Sequence, residues 1–156
     1  MWDRLLLSMD QFDSGQNALA MALGMAPRSG ASVVVLHVRE RSTMMQVPPL
    51  ETLAEARSLV DRSVAALERA GVDSCGIVAS VDPHHVARQI VDEAKAWGCD
   101  AIIVGSTRLR GIRRIAGSGV RDRILRTSSL PVLVAPPPIG ASNRIPKLTH
   151  DRAAVR

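Results

Sequence analysis

The chain has 156 residues, 46% of them hydrophobic, two cysteines and a formal net charge of +5. That length suits one domain, able to bury about two-thirds of its unfolded surface without disulfides or metals. No apolar block approaches the ~20 residues of a membrane helix, and the block from Arg4 to Met9 is too short for a secretory signal. A cytoplasmic protein with no membrane partner is therefore expected. The positive balance suits an anionic partner. Binding single-stranded nucleic acid needs aromatic platforms, however, and two tryptophans, one phenylalanine and no tyrosine supply few.

Leu5-Leu6-Leu7 is continuously apolar, the pattern of a central parallel strand covered on both faces. Asp13 or Ser14 is placed to cap a first helix carrying Ala18, Leu19, Ala22, Leu23 and Ala26 at helical spacing, with Pro27 and Gly30 as its stop. Val33 to Val38 is β-branched and reads as the second strand. Leu50 to Ala70 is the second helix, stopped by Gly71. A weaker third strand covers Ile77 to Ser80. Asp82 and Pro83 then form the cap and first position of a helix running to Trp97.

Ala101 to Val104 is the fourth strand, ending at Gly105. A short helix over about Val120 to Thr127 and a fifth strand over Pro131 to Val134 follow. Strands alternating with helices imply right-handed parallel crossovers, so the class is α/β, a doubly wound parallel sheet with helices on both faces. The domain is expected to span residues 1–136. From 137 to 156 glycine, proline and basic residues lack apolar period, which predicts a disordered basic tail. Cys75 and Cys99, on separate elements without metal or redox spacing, are expected to be small buried hydrophobes.

The stretch from Gly105 to Val120 carries the most chemistry. A strand that ends at glycine and leads to a helix amino terminus presents unpaired N–H groups suited to phosphate. Arg108, Arg110, Arg113, Arg114, Arg121 and Arg123 surround this loop, with Asp122 the one acid before Arg126. Arginine forks grip phosphate oxygens in charge-assisted bonds worth ~1.5 to 3 kcal/mol. His37 lies inside a strand pattern and is expected to be a satisfied structural histidine. His84 and His85 are adjacent, diverge by about 100° on a helix, and cannot share a metal. No Walker lysine, supported Ser/His/Asp set or carboxylate pair near the loop points to an enzyme.

Taken together, Asp10 after the first strand, Leu36-His37-Val38, Asp82-Pro83, Ile102-Ile103-Val104-Gly105-Ser106, Leu125-Arg126 and Leu130-Pro131-Val132-Leu133-Val134 resemble the universal stress protein family. The resemblance covers about Arg4 to Val134. It implies a five-stranded sheet in the order 3-2-1-4-5, a homodimer through the fifth strand, and either an ATP-binding or a non-binding domain. An exposed apolar edge at Val132 to Val134 would also favour pairing.

The binding group's motif is Gly, two residues, Gly, nine residues, Gly, then Ser or Thr. Here Gly105 matches, Arg108 stands at the second glycine, Ser118 at the third, and Gly119 at the Ser/Thr position; Gly117-Ser118 restores the pair if the loop shifts by one. An arginine at a positive-φ glycine site costs about 1 kcal/mol. The resemblance implies an adenine nucleotide, ATP with magnesium, held by Asp10 and Val38 at the adenosine and by Gly105, Ser106, Gly117, Ser118, Gly119 and Val120 at the phosphates. Arg108 or Arg110 would assist. The alternative is a dimeric interaction module of the same family that binds no nucleotide.

Overall fold

The computed structural model describes residues 2–41, 51–106 and 119–137. Five parallel strands, β1 (Arg4–Met9), β2 (Ser32–Glu40), β3 (Ser74–Val81), β4 (Ala101–Gly105) and β5 (Val132–Ala135), form one sheet in the order β3-β2-β1-β4-β5. Among the described residues four α-helices cover it: α1 (Asp13–Ser29), α2 (Leu53–Arg69), α3 (Val86–Ala96) and α4 (Val120–Thr127). The sheet is thus doubly wound, as the alternating pattern implied. The order is the one the family resemblance carried.

Why the central strands read as unbroken apolar runs is plain from the packing. Leu5, Leu7, Val33, Val35 and Ile103 bury their side chains with α1 and α2, while Leu6, Val34, Leu36, Ile102 and Val104 bury theirs with α3 and α4. Each side chain of this size contributes roughly 1.5–3 kcal/mol by leaving water. α1 lies close on the sheet because its inner face is small: Ser14, Gly15, Ala18, Ala22 and Ala26 are buried.

Element boundaries differ from expectation where backbone chemistry outweighs pattern. α1 is preceded by Phe12, whose side chain caps nothing, rather than by Asp13 or Ser14. Asp10 does the capping instead: its Oδ1 accepts the N–H groups of Phe12 and Gly15, each at 2.9 Å. Pro27 sits within the last turn of α1 and does not end it. The stop is Gly30, left-handed at φ 73°. α2 begins after Thr52, which forms a reciprocal capping box with Glu55, a signal the sequence carried in plain sight.

β3 is longer than its apolar core, running from Ser74 to Val81, and its sheet-edge position leaves Cys75 exposed rather than buried. A 3-10 turn over Pro83–His85 separates Asp82 from α3, and Asp82 makes no side-chain cap. β5 starts after Pro131, whose carbonyl accepts the Ile102 N–H and so still belongs to the ladder. Apart from Pro137, the expected basic tail lies outside the described residues.

Candidate functional site

Because β1 is central and the crossovers leave it in opposite directions, a crevice opens at the carboxyl ends of β1, β2 and β4. This is the switch point at which open α/β sheets hold ligands. The cavity there has a volume of about 440 Å³, within the range of small-molecule sites. Among the residues expected at a site, Asp10, Val38, Gly105, Gly119 and Val120 all line it. Ser106 does not: its hydroxyl donates to the Ala135 carbonyl at 2.7 Å and ties β4 to β5. Arg108, Arg110, Gly117 and Ser118 lie outside the described residues.

Asp10 serves the backbone as well as the cavity. Besides the two N–H groups at Oδ1, its Oδ2 accepts the Ser14 hydroxyl at 2.5 Å, so the carboxylate is fixed at the start of α1. The turn role and a wall position coexist in one residue. Gly105 is likewise explained locally. A Cβ built there would stand 2.0 Å from the Ser14 carbonyl oxygen, and one on Gly15 would stand 2.4 Å from the Asp10 carbonyl oxygen. These two glycines let α1 meet the ends of β1 and β4, and that close approach shapes the floor of the crevice.

At the β4 side the described wall joins glycine backbone to the side chains at the start of α4. Gly119 precedes α4 without a side-chain cap, leaving the first N–H groups of α4 without a side-chain acceptor from that residue. Arg121 and Asp122 line the cavity beside them, paired Nη2 to Oδ1 at 2.9 Å.

The β2 side is built from side chains that motif reasoning passed over. His37 is buried; its Nδ1 lies 2.9 Å from the Met9 carbonyl and its Nε2 2.6 Å from Oε2 of Glu51. A carbonyl only accepts, so Nδ1 carries a proton, and the Nε2–Oε2 contact holds a further shared one. The side chains of His37 and Glu51 are 7% and 10% exposed, so the pair is nearly sealed from water. Arg39 Nη2 donates to the Glu51 carbonyl at 2.9 Å. The expectation that His37 is a satisfied structural histidine fits these bonds. Its partner was hidden because Glu51 lies fourteen residues away, with no local signal. Phe12, 63% exposed, forms part of the rim.

Neither cysteine belongs to the site. Burial pushes the Cys99 thiol up to about 11. At Cys75 partial desolvation and then the Asp73 charge also raise the thiol, so both are protonated at neutral pH and poorly nucleophilic. Among the described residues no group of three or more His, Cys, Asp or Glu is placed to hold a metal ion. No described helix is long and apolar enough to cross a membrane.

Order, register and crevice define a doubly wound α/β domain with its cavity at the switch point. Within that class the assignment is specific: the universal stress protein family model matches residues 1–136, and the chain belongs to that family. It is 27% identical over 149 residues to universal stress protein YxiE of Bacillus subtilis, a match covering 86% of this chain and 99% of that protein. Its fold is similar to that of a universal stress protein solved in complex with cAMP, at a TM-score of 0.68 and 19% identity, over 88% of this chain and 98% of that one. It is also similar to the Archaeoglobus fulgidus universal stress protein solved in complex with dAMP, at a TM-score of 0.62 and 20% identity, over 86% and 97% of the two chains.

Proposed function

We propose that this chain is a cytoplasmic stress-response domain that binds an adenine nucleotide, ATP among them, in the cavity between β2 and α4, and that it signals by binding rather than by catalysis. The observation that carries the reading is the convergence of Asp10, Val38, Gly105 and the Gly119-Val120 pair, from four separate segments, on one cavity. Complexes of similarly folded relatives with cAMP and dAMP support it.

The polarity of the cavity sets the ligand's direction. The amino terminus of α4, to which Gly119 gives no side-chain cap, suits phosphate, whereas Glu40 and Glu51 stand at the β2 end. β2 and β4 flank β1, so their ends stand roughly 10 Å apart, enough to hold the base on one side and the phosphate on the other. Asp10 and Val38 border the nucleoside. Gly105, Gly119 and the N–H of Val120 face the phosphates, joined by Arg108, Gly117 and Ser118 from the loop. Magnesium would arrive with a polyphosphate, which supplies most of its ligands.

Calorimetric titration with AMP, ADP, ATP and cAMP is the direct test. Binding at micromolar to millimolar ligand is expected, and silence for all four at millimolar concentration removes the proposal. A second reading, an interaction module that binds no nucleotide, is favoured by Arg108 and Ser118 standing where the binding motif has glycine. On that reading Arg108→Gly creates an ATP affinity the wild type lacks; on ours the wild type already has one. Dimerisation through β5, an edge strand with one ladder partner, is part of the proposal, and a monomer in sedimentation at tens of micromolar would oppose it.

A further inference from the structure

We propose that the free edge of β3 is an interface with a second copy of this chain, the two β3 strands pairing antiparallel about a two-fold axis with Ile77 opposite the partner's Ile77. The proposal is independent of the nucleotide reading and of the pairing assigned to β5, which lies at the other edge of the sheet.

β3 has one ladder partner, β2, and pairs with it residue for residue from Ser74 to Val81, so no bulge interrupts it. The carbonyls of Asp73 and Val81 accept the N–H groups of Val33 and Arg41. Along a strand in a parallel ladder, alternate residues turn both main-chain groups to the same side. The odd-numbered residues therefore bond to β2, while Ser74, Gly76, Val78 and Ser80 turn their N–H and C=O groups outward. No described residue outside the sheet bonds to those groups. Natural edges are blunted by charge, proline, a bulge or shortness. The β5 edge is blunted, having four residues that follow Pro131. β3 has eight, Ser-Cys-Gly-Ile-Val-Ala-Ser-Val, with neither charge nor proline among them.

The strand supplies its own complement. On the α3 face Cys75 is exposed, and Ile77, Ala79 and Val81 are only partly buried, which leaves an apolar strip along the edge. Antiparallel neighbours share a face, so a two-fold axis at Ile77 sets this strip beside its own copy. The same register places Ser74 against the partner's Ser80 and Gly76 against the partner's Val78. All four outward residues of each strand are then hydrogen-bonded, and the smallest of them faces the largest. A shift of two residues in either direction leaves one outward residue facing a position beyond the end of the partner's strand. No like charges are opposed, since Asp73 stands against the partner's Val81 and Asp82 against the partner's Val72. Ile77 and the partner's Ile77 form a non-hydrogen-bonded pair, with Cα atoms about 4.5 Å apart.

That spacing is within disulfide reach, so Ile77→Cys in a Cys75→Ser background tests the register. With a mild oxidant and tens of micromolar protein, a disulfide-linked dimer is expected to form roughly tenfold faster than with Lys95→Cys, an exposed position on α3 in the same background. Cys99 is buried and common to both. Equal rates overturn the proposal. Ile77→Lys sets two like charges against each other across the axis, and sedimentation at the same concentration is expected to give it a lower average mass than the wild type. A folded Ile77→Lys variant with the mass of the wild type overturns the proposal as well, and if that variant does not fold, the cross-linking comparison decides alone.

Discussion

The two ends of the cavity are made in different ways. At the β4 side the described wall includes the main chain of Gly105, Gly119 and the start of α4, with the Arg121–Asp122 pair beside it. At the β2 side it is a network of side chains in which His37, Glu51 and Arg39 hold one another and the Met9 carbonyl. A backbone wall announces itself as a glycine pattern, because steric need restricts the residue type. A side-chain wall leaves no such trace, because its partners meet only after folding.

The sharpest way to break this contrast is to remove the centre of the β2 network. His37→Ala leaves Glu51 buried beside an empty space, and loss of one member of a sealed pair costs about 3–5 kcal/mol; chemical denaturation reads it. A loss below 1 kcal/mol would mean that water reaches Glu51 freely and that the network is not a wall. Next in size is the backbone end. Gly105→Ala places a methyl carbon against the Ser14 carbonyl, a main-chain atom that moves only with α1. Forced overpacking of this kind costs about 1–3 kcal/mol. If that variant is as stable as the wild type, the glycine serves a ligand and not the approach of α1.

Smaller still is the cap of α2, the helix that begins just beyond Glu51. Thr52→Ala removes the hydroxyl that accepts the Glu55 N–H and is expected to cost about 1 kcal/mol. Thermal melts of this variant, combined with His37→Ala in a double-mutant cycle, report whether the helix start and the buried pair are coupled.

The acid limb of stability gives the mildest test. The backbone N–H and then the hydroxyl of Thr52 hold Glu55 below its ordinary 4.5. The N–H groups of Arg4 and then Asp3 hold Asp100 below its ordinary 3.8. Both are depressed on folding, so what they contribute is fully present above the ordinary values and is lost as pH falls through the lower folded ones. Melting temperature should decline on acidification below about pH 4.5, and Glu55→Gln with Asp100→Asn should flatten that decline. An unchanged slope would show that other carboxylates set it.

Legibility followed the range of the interaction. The five strands, the two-sided sheet and α4 at Val120–Thr127 could be read because continuous apolar runs and helical spacing are local in sequence. β3 is longer than its apolar pattern because Cys75 and Gly76, near its start, are exposed at an edge where the ladder, not burial, defines the strand. Pro27 read as a stop although it lies in the last turn of α1, ahead of the left-handed Gly30 that ends the helix. In the site, Asp10 and Val38 were named only through the family resemblance, and both line the cavity, whereas Ser106 reads as a phosphate ligand until the nearby Ala135 carbonyl takes its hydroxyl.

By itself the sequence determined the class of fold, the family pattern and the crevice side at which chemistry belongs, since each depends on short-range periodicity, capping and glycine placement. Tertiary structure alone decided that Gly15 and Gly105 are there for α1, that Asp10 is bound into its own turn, and that His37 meets Glu51 fourteen residues further on. Those facts depend on atoms brought within hydrogen-bonding or van der Waals distance by packing. No pattern along the chain encodes such a distance before the sheet and its helices have closed around it.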